Sequence, residues 1–346
     1  MKANGLLPAA CAVLLLAGAP RQSAAAELVH VGITKLASDI TLFLADKKGY
    51  FREAGIEADF VPFDSAAKMI APLGIGELQV GAGAPSSGLY NAERRGIAIK
   101  IVADKATATR SYSYKALLVR KALVDSGKFR SLADLKGLKV AVVAKGSADN
   151  SILNEAAKAG GLTLAELDRV YVPFPQQPIA LDNGAIDAAI TAEPDVTRAL
   201  RLGSAVRFMP TAAFYPDEAS AVILYSGDFI AKQRDTATRF IAAYLRAVRD
   251  YDAALKNGKL AGPGAEEIIR LLVEVTQTPD PTIFRDMVPS WCNPDGTVNM
   301  ASMNKDLAFF KAEGEVAQDA SVDEVLDPSF VDAALKRIGP SPQGAD

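Results

Sequence analysis

The stretches PLGIGELQV, residues 72–80, and LDNGAIDAA, residues 181–189, share one local pattern. In both, a helical pattern ends near a glycine, an apolar residue follows two positions later, and a strand begins. Glycine suits the end of a helix because it adopts a left-handed backbone conformation without steric cost. Two lobes of similar construction would produce this repetition, and chance recurrence of so short a unit is the alternative.

Outward from these stretches, short apolar strands alternate with helical patterns. We predict strands at residues 28–34, 56–61, 78–83, 97–103, 138–144, 170–172 and 188–191. This alternation indicates an α/β fold in which mainly parallel sheets are covered by helices. After Gly227 the pattern changes to helices, and Asp235 begins a long one whose apolar residues follow the 3.6-residue spacing of a single buried stripe.

The first 26 residues differ from the rest of the sequence. They contain Lys2, a short apolar run over residues 6–17 and three alanines at residues 24–26. This is the pattern of a secretory signal peptide, and the run is shorter than the roughly 20 apolar residues of a membrane helix. We therefore expect a signal peptide at residues 1–26, cleavage after Ala26, and a periplasmic location.

Composition limits the classes of function. The 346 residues suit two α/β lobes. The signal peptide holds two of the 38 basic residues and none of the 41 acidic ones, so the mature chain carries a formal charge of about −5. An acidic exported chain without a basic run argues against a nucleic-acid partner. Only Cys292 remains after cleavage, so no intramolecular disulfide forms, and no cluster of metal ligands is present. We expect no metal and no cofactor.

Several sequence pieces together resemble a known family. They are KGYF at 48–51 with AGI at 54–56, GELQVG at 76–81, LADLKG at 132–137 before Val140, and residues 181–188. Their order and spacing are similar to those of the nitrate, sulfonate and taurine class of periplasmic binding proteins, which also includes pyrimidine-precursor binders. The resemblance spans most of residues 27–260 and is weaker in the C-terminal helices.

The resemblance implies a type II periplasmic-binding-protein fold, in which two lobes, each a mainly parallel sheet flanked by helices, are joined by a two-strand hinge. We expect the crossovers near residues 116–120 and 221–226. Lobe one would comprise residues 27–115 and 226–346, and lobe two residues 116–225. A small-molecule ligand would bind between the lobes, and closure would signal the loaded state to an ABC permease in the inner membrane. We expect a monomer without enzymatic activity.

Two loops are the first candidates for the ligand site, because ligands of open α/β sheets bind beyond the carboxyl ends of the strands. One contains Ala84, Pro85, Ser86 and Ser87, and the other contains Gly146 and Ser147. Both precede predicted helices, whose free N–H groups favour an anion, and the serine hydroxyls add donors. In the alternative interpretation these residues only cap their helices.

Further candidates follow other predicted strands. Ser38 and Asp39 follow the first strand, and Glu193 follows the strand that ends at residue 191. Asp39 and Glu193 would meet an amine, cation or hydroxyl of the ligand, or would instead stabilise the starts of helices. Arg110 would pair with a carboxylate or sulfonate, or would instead be an ordinary surface arginine. The remaining candidates are Tyr112, Phe174 and Gln176, and aromatic residues are more often part of a core.

An exported enzyme is the main alternative function. His30, the single histidine, lies within a predicted strand, and neither Gly-x-Ser-x-Gly nor His-Glu-x-x-His occurs. The pyrimidine synthases of thiamine biosynthesis resemble this architecture, but this chain lacks their cysteine- and histidine-rich site. A protein-binding sensory module is the second alternative, which a large exposed apolar patch would favour. As ligand we expect an organic anion such as a sulfonate or carboxylate, a zwitterion such as taurine, or an aromatic acid.

Overall fold

Strands and helices alternate through most of the computed structural model, which describes residue 1 and residues 25–342. The strands are β1 (Glu27–Ile33), β2 (Ile56–Pro62), β3 (Val80–Gly83), β4 (Ile99–Ala108), β5 (Lys115–Arg120), β6 (Lys139–Val142), β7 (Asp168–Tyr171), β8 (Ala188–Ala192), β9 (Ala205–Pro210), β10 (Glu218–Ser226), β11 (Leu255–Lys256) and β12 (Lys259–Leu260). Residues 2–24 of the predicted signal peptide lie outside the described residues.

Helices cover the strands. They are α1 (Ile40–Lys47), α2 (Tyr50–Glu53), α3 (Ile70–Gly74), α4 (Ser87–Arg94), α5 (Lys121–Asp125), α6 (Ala148–Ala159), α7 (Gln177–Asp182), α8 (Asp195–Leu202), α9 (Gly227–Lys232), α10 (Arg234–Ala253), α11 (Ala265–Thr276), α12 (Thr282–Asp286), α13 (Met300–Ala312) and α14 (Ser329–Ile338). Across residues 25–342, none of these helices is long and apolar enough to span a bilayer.

Two five-stranded sheets have the same topology. Their strand orders are β2-β1-β3-β10-β4 and β7-β6-β8-β5-β9. In the first sheet β10 pairs antiparallel with both β3 and β4, and in the second β5 pairs antiparallel with both β8 and β9. The other four strands of each sheet therefore share one direction. The expected α/β class with two mainly parallel sheets is confirmed.

The chain passes between the sheets twice. Residues 109–114 lead from β4 to β5, and residues 211–217 lead from β9 back to β10. The segments expected as crossovers, residues 116–120 and 221–226, are extended and lie within β5 and β10. Because β10 pairs only with strands of the first sheet among the described pairings, residues 218–226 are part of that sheet.

The long helix α10 covers the first sheet as its apolar spacing predicts. Phe240, Tyr244, Val248 and Tyr251 form its buried stripe, and the helix packs against α1, α2 and α14. These elements belong to one apolar cluster that includes β1. The apolar contacts of α10 therefore fix the first sheet and the loops at its end.

Helix α13 connects the two sheets by apolar contacts. It packs against α6, beside the second sheet, and against β10 of the first. Phe310 of α13 belongs to one buried cluster with Leu224 of β10 and Ile152 of α6. The two sheets therefore share part of their core behind the loops that face each other.

Candidate functional site

A cavity lies between the two sheets, where the carboxyl ends of their parallel strands face each other. Its empty volume is about 440 Å³. The polar residues that line it are Thr34, Ser38, Ser65, Ser86, Lys105, Lys115, Ser147, Asp149 and Ser220, and the larger apolar ones are Leu36, Tyr114, Val143 and Phe174. This is the position in which open α/β sheets bind ligands.

The structure brings together at the cavity five of the thirteen residues expected at the site. Ser38, Ala84, Ser86, Ser147 and Phe174 line the cavity. Pro85, Ser87 and Gly146 are next to lining residues, in the same two loops. Asp39 and Glu193 are buried beneath the cavity wall.

Three further expected residues also do not line the cavity. Arg110 and Gln176 are exposed, and Tyr112 is half-buried. Arg110 and Tyr112 lie in the connection between β4 and β5, and Gln176 lies between β7 and α7. Their loops follow the carboxyl ends of strands, but none of the three side chains lines the cavity.

The loops after β3 and β6 are joined by main-chain pairing. Ser86 and Ser147 form an isolated antiparallel bridge, and the N–H of Ser87 donates to the carbonyl oxygen of Gly146 at 3.0 Å. A Cβ atom on Gly146, whose φ is +70°, would lie 2.4 Å from the Oγ of Ser87. The two loops thus close one side of the cavity, and the absence of a side chain at residue 146 permits their approach.

Two serine hydroxyls in the cavity wall have no hydrogen-bond partner among the described residues. They belong to Ser65 and Ser86, and both are buried. Each serine is the N-cap residue of a helical segment, yet neither side chain caps that helix. Since a buried hydroxyl without a partner costs free energy, these groups are available to a ligand.

The Ser147 hydroxyl is already engaged. Its Oγ donates to the carbonyl oxygen of Ala144 at 2.8 Å, and the amide of Asn150 donates to the same Oγ at 3.2 Å. The hydroxyl therefore stabilises the turn before α6 while lying at the cavity wall.

A buried ion pair underlies the first-sheet side of the cavity. The Nζ of Lys105 lies 2.7 Å from Oδ1 of Asp39, and both side chains are fully buried. Lys105 also donates to the Oγ of Ser38 at 3.1 Å. The other oxygen of Asp39 accepts the N–H groups of Thr34 and Leu36. Asp39 thus holds both the loop after β1 and the lysine that lines the cavity.

A second buried cation lies where the two sheets meet. The Nζ of Lys115 is 3.0 Å from Oδ1 of Asp149 and 3.4 Å from Oε1 of Glu218. Ser220 donates its hydroxyl to the other oxygen of Glu218. Lys115 begins β5 and Glu218 begins β10, so this pair joins the strands that follow the two connections.

Burial and neighbouring charges act in opposite directions on this cluster. Burial lowers the pKa of Lys115, but the carboxylates of Asp149 and Glu218 raise it more, so the pKa lies well above its usual value. Burial raises the pKa of Glu218 although Lys115 opposes the shift. Lys115 therefore stays protonated, and Glu218 loses its proton less readily than an exposed glutamate.

Glu193, which follows β8 of the second sheet, is hydrogen-bonded to residues that follow strands of both sheets. Its carboxylate accepts the N–H groups of Thr197 at 3.0 Å and Val288 at 3.3 Å, and its carbonyl oxygen accepts the N–H of Ala37 at 3.1 Å. Burial raises the pKa of Glu193, against the attraction of Arg207. The side chain thus stabilises the start of α8, which was the alternative to ligand binding that the sequence offered for Glu193.

Six charged or polar lining residues are missing from the sequence prediction: Thr34, Ser65, Lys105, Lys115, Asp149 and Ser220. Lys105 and Lys115 lie in strands whose other residues are almost all buried. The sequence signal that could have identified these two residues is a lysine inside an otherwise apolar strand. A buried ammonium group needs a charged or polar partner, and such buried charges are common at binding sites.

The reactive side chains of the chain lie elsewhere. His30 contacts Asp59, with 2.8 Å between Nδ1 and Oδ2, at the outer side of β1. Cys292 is buried and donates its Sγ–H to the carbonyl oxygen of Lys105, and burial raises its pKa. Over residues 25–342, no group of three or more His, Cys, Asp or Glu side chains could hold a metal ion.

Comparison with known proteins identifies a matching family model and solved structures of similar fold. A family model described as NMT1/THI5 like matches residues 38–257. The periplasmic nitrate-binding protein NrtA from Synechocystis PCC 6803 is 13% identical, with a TM-score of 0.76, covering 92% of this chain and 91% of that chain. The alkanesulfonate-binding protein SsuA from Xanthomonas axonopodis pv. citri, bound to MOPS, is 17% identical, with a TM-score of 0.69, covering 87% of this chain and 98% of that chain. Among curated protein sequences none matches.

These neighbours confirm the expected type II periplasmic-binding-protein fold and the resemblance to nitrate- and sulfonate-binding components of ABC transporters. An enzyme has a similar fold as well. The desulfurization enzyme DszB is 14% identical, with a TM-score of 0.59, covering 90% of this chain and 99% of that chain. Proteins with this fold thus include both transport components and enzymes, so function must be argued from the residues of the site.

Proposed function

We propose a function from the premise that this chain belongs to the NMT1/THI5-like family. It is the solute-binding component of an ABC importer, without enzymatic activity. It captures a small organic anion or zwitterion, such as a sulfonate, taurine or a carboxylate, between two lobes. The observation that carries this proposal is the closed cavity at the carboxyl ends of both sheets, with two buried ammonium groups and two unpartnered hydroxyls in its wall.

The two sheets with their helices serve as the lobes. Lobe one comprises residues 27–115 and 226–346 together with residues 218–225, because β10 pairs with β3 and β4, and lobe two comprises residues 116–217. Residues 109–114 and 211–217 act as the hinge. Opening about these segments admits the solute.

The protein works in the periplasm, to which the predicted signal peptide directs it. The closed, loaded form docks on an ABC permease, and the binding protein is a monomer. A small-molecule carrier needs two states that differ in shape, because the permease must distinguish loaded from empty. Hinge closure of two lobes supplies that difference.

The chemistry of the cavity supports a binding protein over an enzyme of the same fold. Among the described residues that line the cavity there is no thiol and no imidazole. The nearest thiol, Cys292, lies behind Lys105 and is engaged with a main-chain carbonyl. The lining hydroxyls of Thr34 and Ser220 donate to the carboxylates of Asp39 and Glu218, and each of these carboxylates is also paired with a lysine. The lining residues instead supply donors and compensated charges, which suit reversible binding.

A thermal-shift screen tests the proposal. The mature chain, refolded from denaturant to remove any bound solute, is tested with sulfonates, carboxylates, nitrate, taurine, thiamine precursors and aromatic acids. A ligand at about 100 times its Kd adds roughly 2.7 kcal/mol of stability. We expect stabilisation by one chemical class. An unchanged melting temperature across the whole panel would contradict the proposal.

Two variants locate the site. Ser86→Ala combined with Ser147→Ala removes two hydroxyls from the cavity wall and should weaken binding of the stabilising solute. Ser126→Ala is the control, because that hydroxyl is exposed and donates to the carbonyl oxygens of Ala122 and Leu123. Equal affinity of the double variant and the control would place the site elsewhere.

A further inference from the structure

The buried charges around the cavity do not match those of a site for a simple anion. Lys105 faces one buried carboxylate, that of Asp39. Lys115 faces two, those of Asp149 and Glu218. With all five groups ionised, the set carries one negative charge more than positive. An anion added without a compensating group would increase the buried excess, which is costly in a low-dielectric interior.

Hydrogen-bond donors collect on the first-sheet side. The unpartnered hydroxyls of Ser65 and Ser86 come from the loops after β2 and β3. Lys105 adds an ammonium group that lines the cavity, and within residues 25–342 two of its three donors have partners, Asp39 and Ser38. These three groups suit a carboxylate, sulfonate or carbonyl oxygen.

An acceptor lies on the second-sheet side. Asp149 lines the cavity in the first turn of α6. Its carboxylate can accept several hydrogen bonds, and it shares its cation with Glu218. A positive group beside Asp149 would therefore neutralise a charge that Lys115 alone does not balance.

We propose that the solute is amphoteric: its acidic or carbonyl oxygens bind the hydroxyls of Ser65 and Ser86 and the Nζ of Lys105, and its amino group binds Asp149. This inference rests on the proposed function and names the class of solute. It separates this chain from a carrier of nitrate or of an unsubstituted sulfonate, because Asp149 contributes only when the solute has a donor to offer.

Matched pairs of probes test the proposal by calorimetric titration of the full mature chain. Taurine is compared with 1-propanesulfonate, β-alanine with butyrate, and 4-aminobenzoate with 4-methylbenzoate. Each pair exchanges an amino group for a methyl group. We expect the amino member to bind at least about tenfold more tightly, since a hydrogen bond to a charged group contributes about 1.5 kcal/mol or more. Equal or tighter binding of the methyl member would overturn the proposal while leaving the proposed function intact, and binding of no probe would contradict both.

Variants assign the preference to one carboxylate. Asp149→Asn should reduce the ratio of affinities within a pair to about one. Asp306→Asn is the matched control, because Asp306 is a buried acid near the same cluster that does not line the cavity. Ser65→Ala with Ser86→Ala should weaken both members of a pair alike and keep their ratio. An unchanged ratio in Asp149→Asn would overturn the assignment, and the serine variant reports on the donor side even if Asp149→Asn fails to fold.

Discussion

The main-chain N–H of Ser87 donates a hydrogen bond to the carbonyl oxygen of Gly146 at 3.0 Å. Ser87 is the first residue of α4, and Gly146 lies two residues before α6. The bond therefore joins the end of the loop after β3 of the first sheet to the loop after β6 of the second. Each loop also contributes a serine to the cavity wall, Ser86 and Ser147. The contact that closes the cavity is therefore made by the loops that line it.

Gly146→Ala should weaken solute binding by preventing this contact. The new Cβ would lie 2.4 Å from the Oγ of Ser87, and the φ of +70° costs a non-glycine residue about 1–2 kcal/mol. Gly137→Ala is the matched control, with a φ of +72° and open space around its Cβ. We expect both variants to lose similar stability in urea unfolding, and only Gly146→Ala to lose affinity by calorimetry. Equal affinities in the two variants would show that the loops need not meet.

Lys105→Met should destabilise the fold by about 3–5 kcal/mol, because it leaves the Asp39 carboxylate buried without a cation. Adding Asp39→Asn to this variant should recover part of the loss. Lys121→Met removes an exposed pair with Asp125 and should change stability by less than about 1 kcal/mol. Urea unfolding measures all three. Equal losses in Lys105→Met and Lys121→Met would contradict the burial of the first pair.

Asp306 should make the protein less stable as pH rises towards neutrality. Burial and the nearby Glu218 raise its pKa to about 7 in the folded chain, whereas an unfolded aspartate titrates near 3.9. Between these values the folded state binds the extra proton, so stability falls with rising pH by up to about 1.4 kcal/mol per unit and levels off above about pH 7.

Melting temperatures between about pH 5 and pH 8 measure this effect. Asp306→Asn should flatten the part of the slope that Asp306 contributes, and the exposed Asp319→Asn should leave the slope unchanged. Asp104 and Asp252, with pKa values raised to about 7 and about 8 mainly by burial, keep a residual slope in every variant. A wild-type slope in Asp306→Asn would contradict the burial of an acid at this position.

Arg201→Ala should speed release of the solute. Its guanidinium bridges from α8 to Asp280 at 2.5 Å and Asp286 at 2.6 Å, and so connects the proposed lobes. These groups are partly exposed, so the effect should be small, with a dissociation rate at most roughly fivefold faster. Arg285→Ala breaks a pair within lobe one, with Glu266, and should leave the rate unchanged in stopped-flow measurements. Equal rates in both variants would show that these ion pairs do not hold the closed form.

The α/β architecture could be predicted from the sequence because apolar periodicity reports on local burial. The stripe of α10 and the strands of both sheets follow it. Strand β9 escaped prediction because its residues are mostly half-buried and do not alternate. Its place at the edge of the second sheet depends on pairing with β5, which is a distant contact.

The site could be predicted only where it depends on loop position. The loops after β1, β3 and β6 supply Ser38, Ser86 and Ser147 as expected, but loop position does not fix side-chain direction, and Arg110 and Gln176 point to solvent. The charged lining residues depend on partners far away in sequence.

Lys105 is paired with Asp39, 66 residues earlier, and Lys115 with Glu218, 103 residues later. Sequence periodicity carries no information about such pairs. A lysine is stable in the interior only when the folded chain places a carboxylate beside it. The lysine and its partner can therefore be identified only from the folded structure.

Native mass spectrometry of the chain purified from the periplasm tests the central claim most directly. We expect one chain to carry one small solute, and the mass of the solute released by denaturation should correspond to a compound with both an acidic or carbonyl group and an amino group. A chain that shows only its own mass, and still does so after refolding and incubation with a small-molecule extract of the cells, would contradict the claim that this cavity is a solute-binding site.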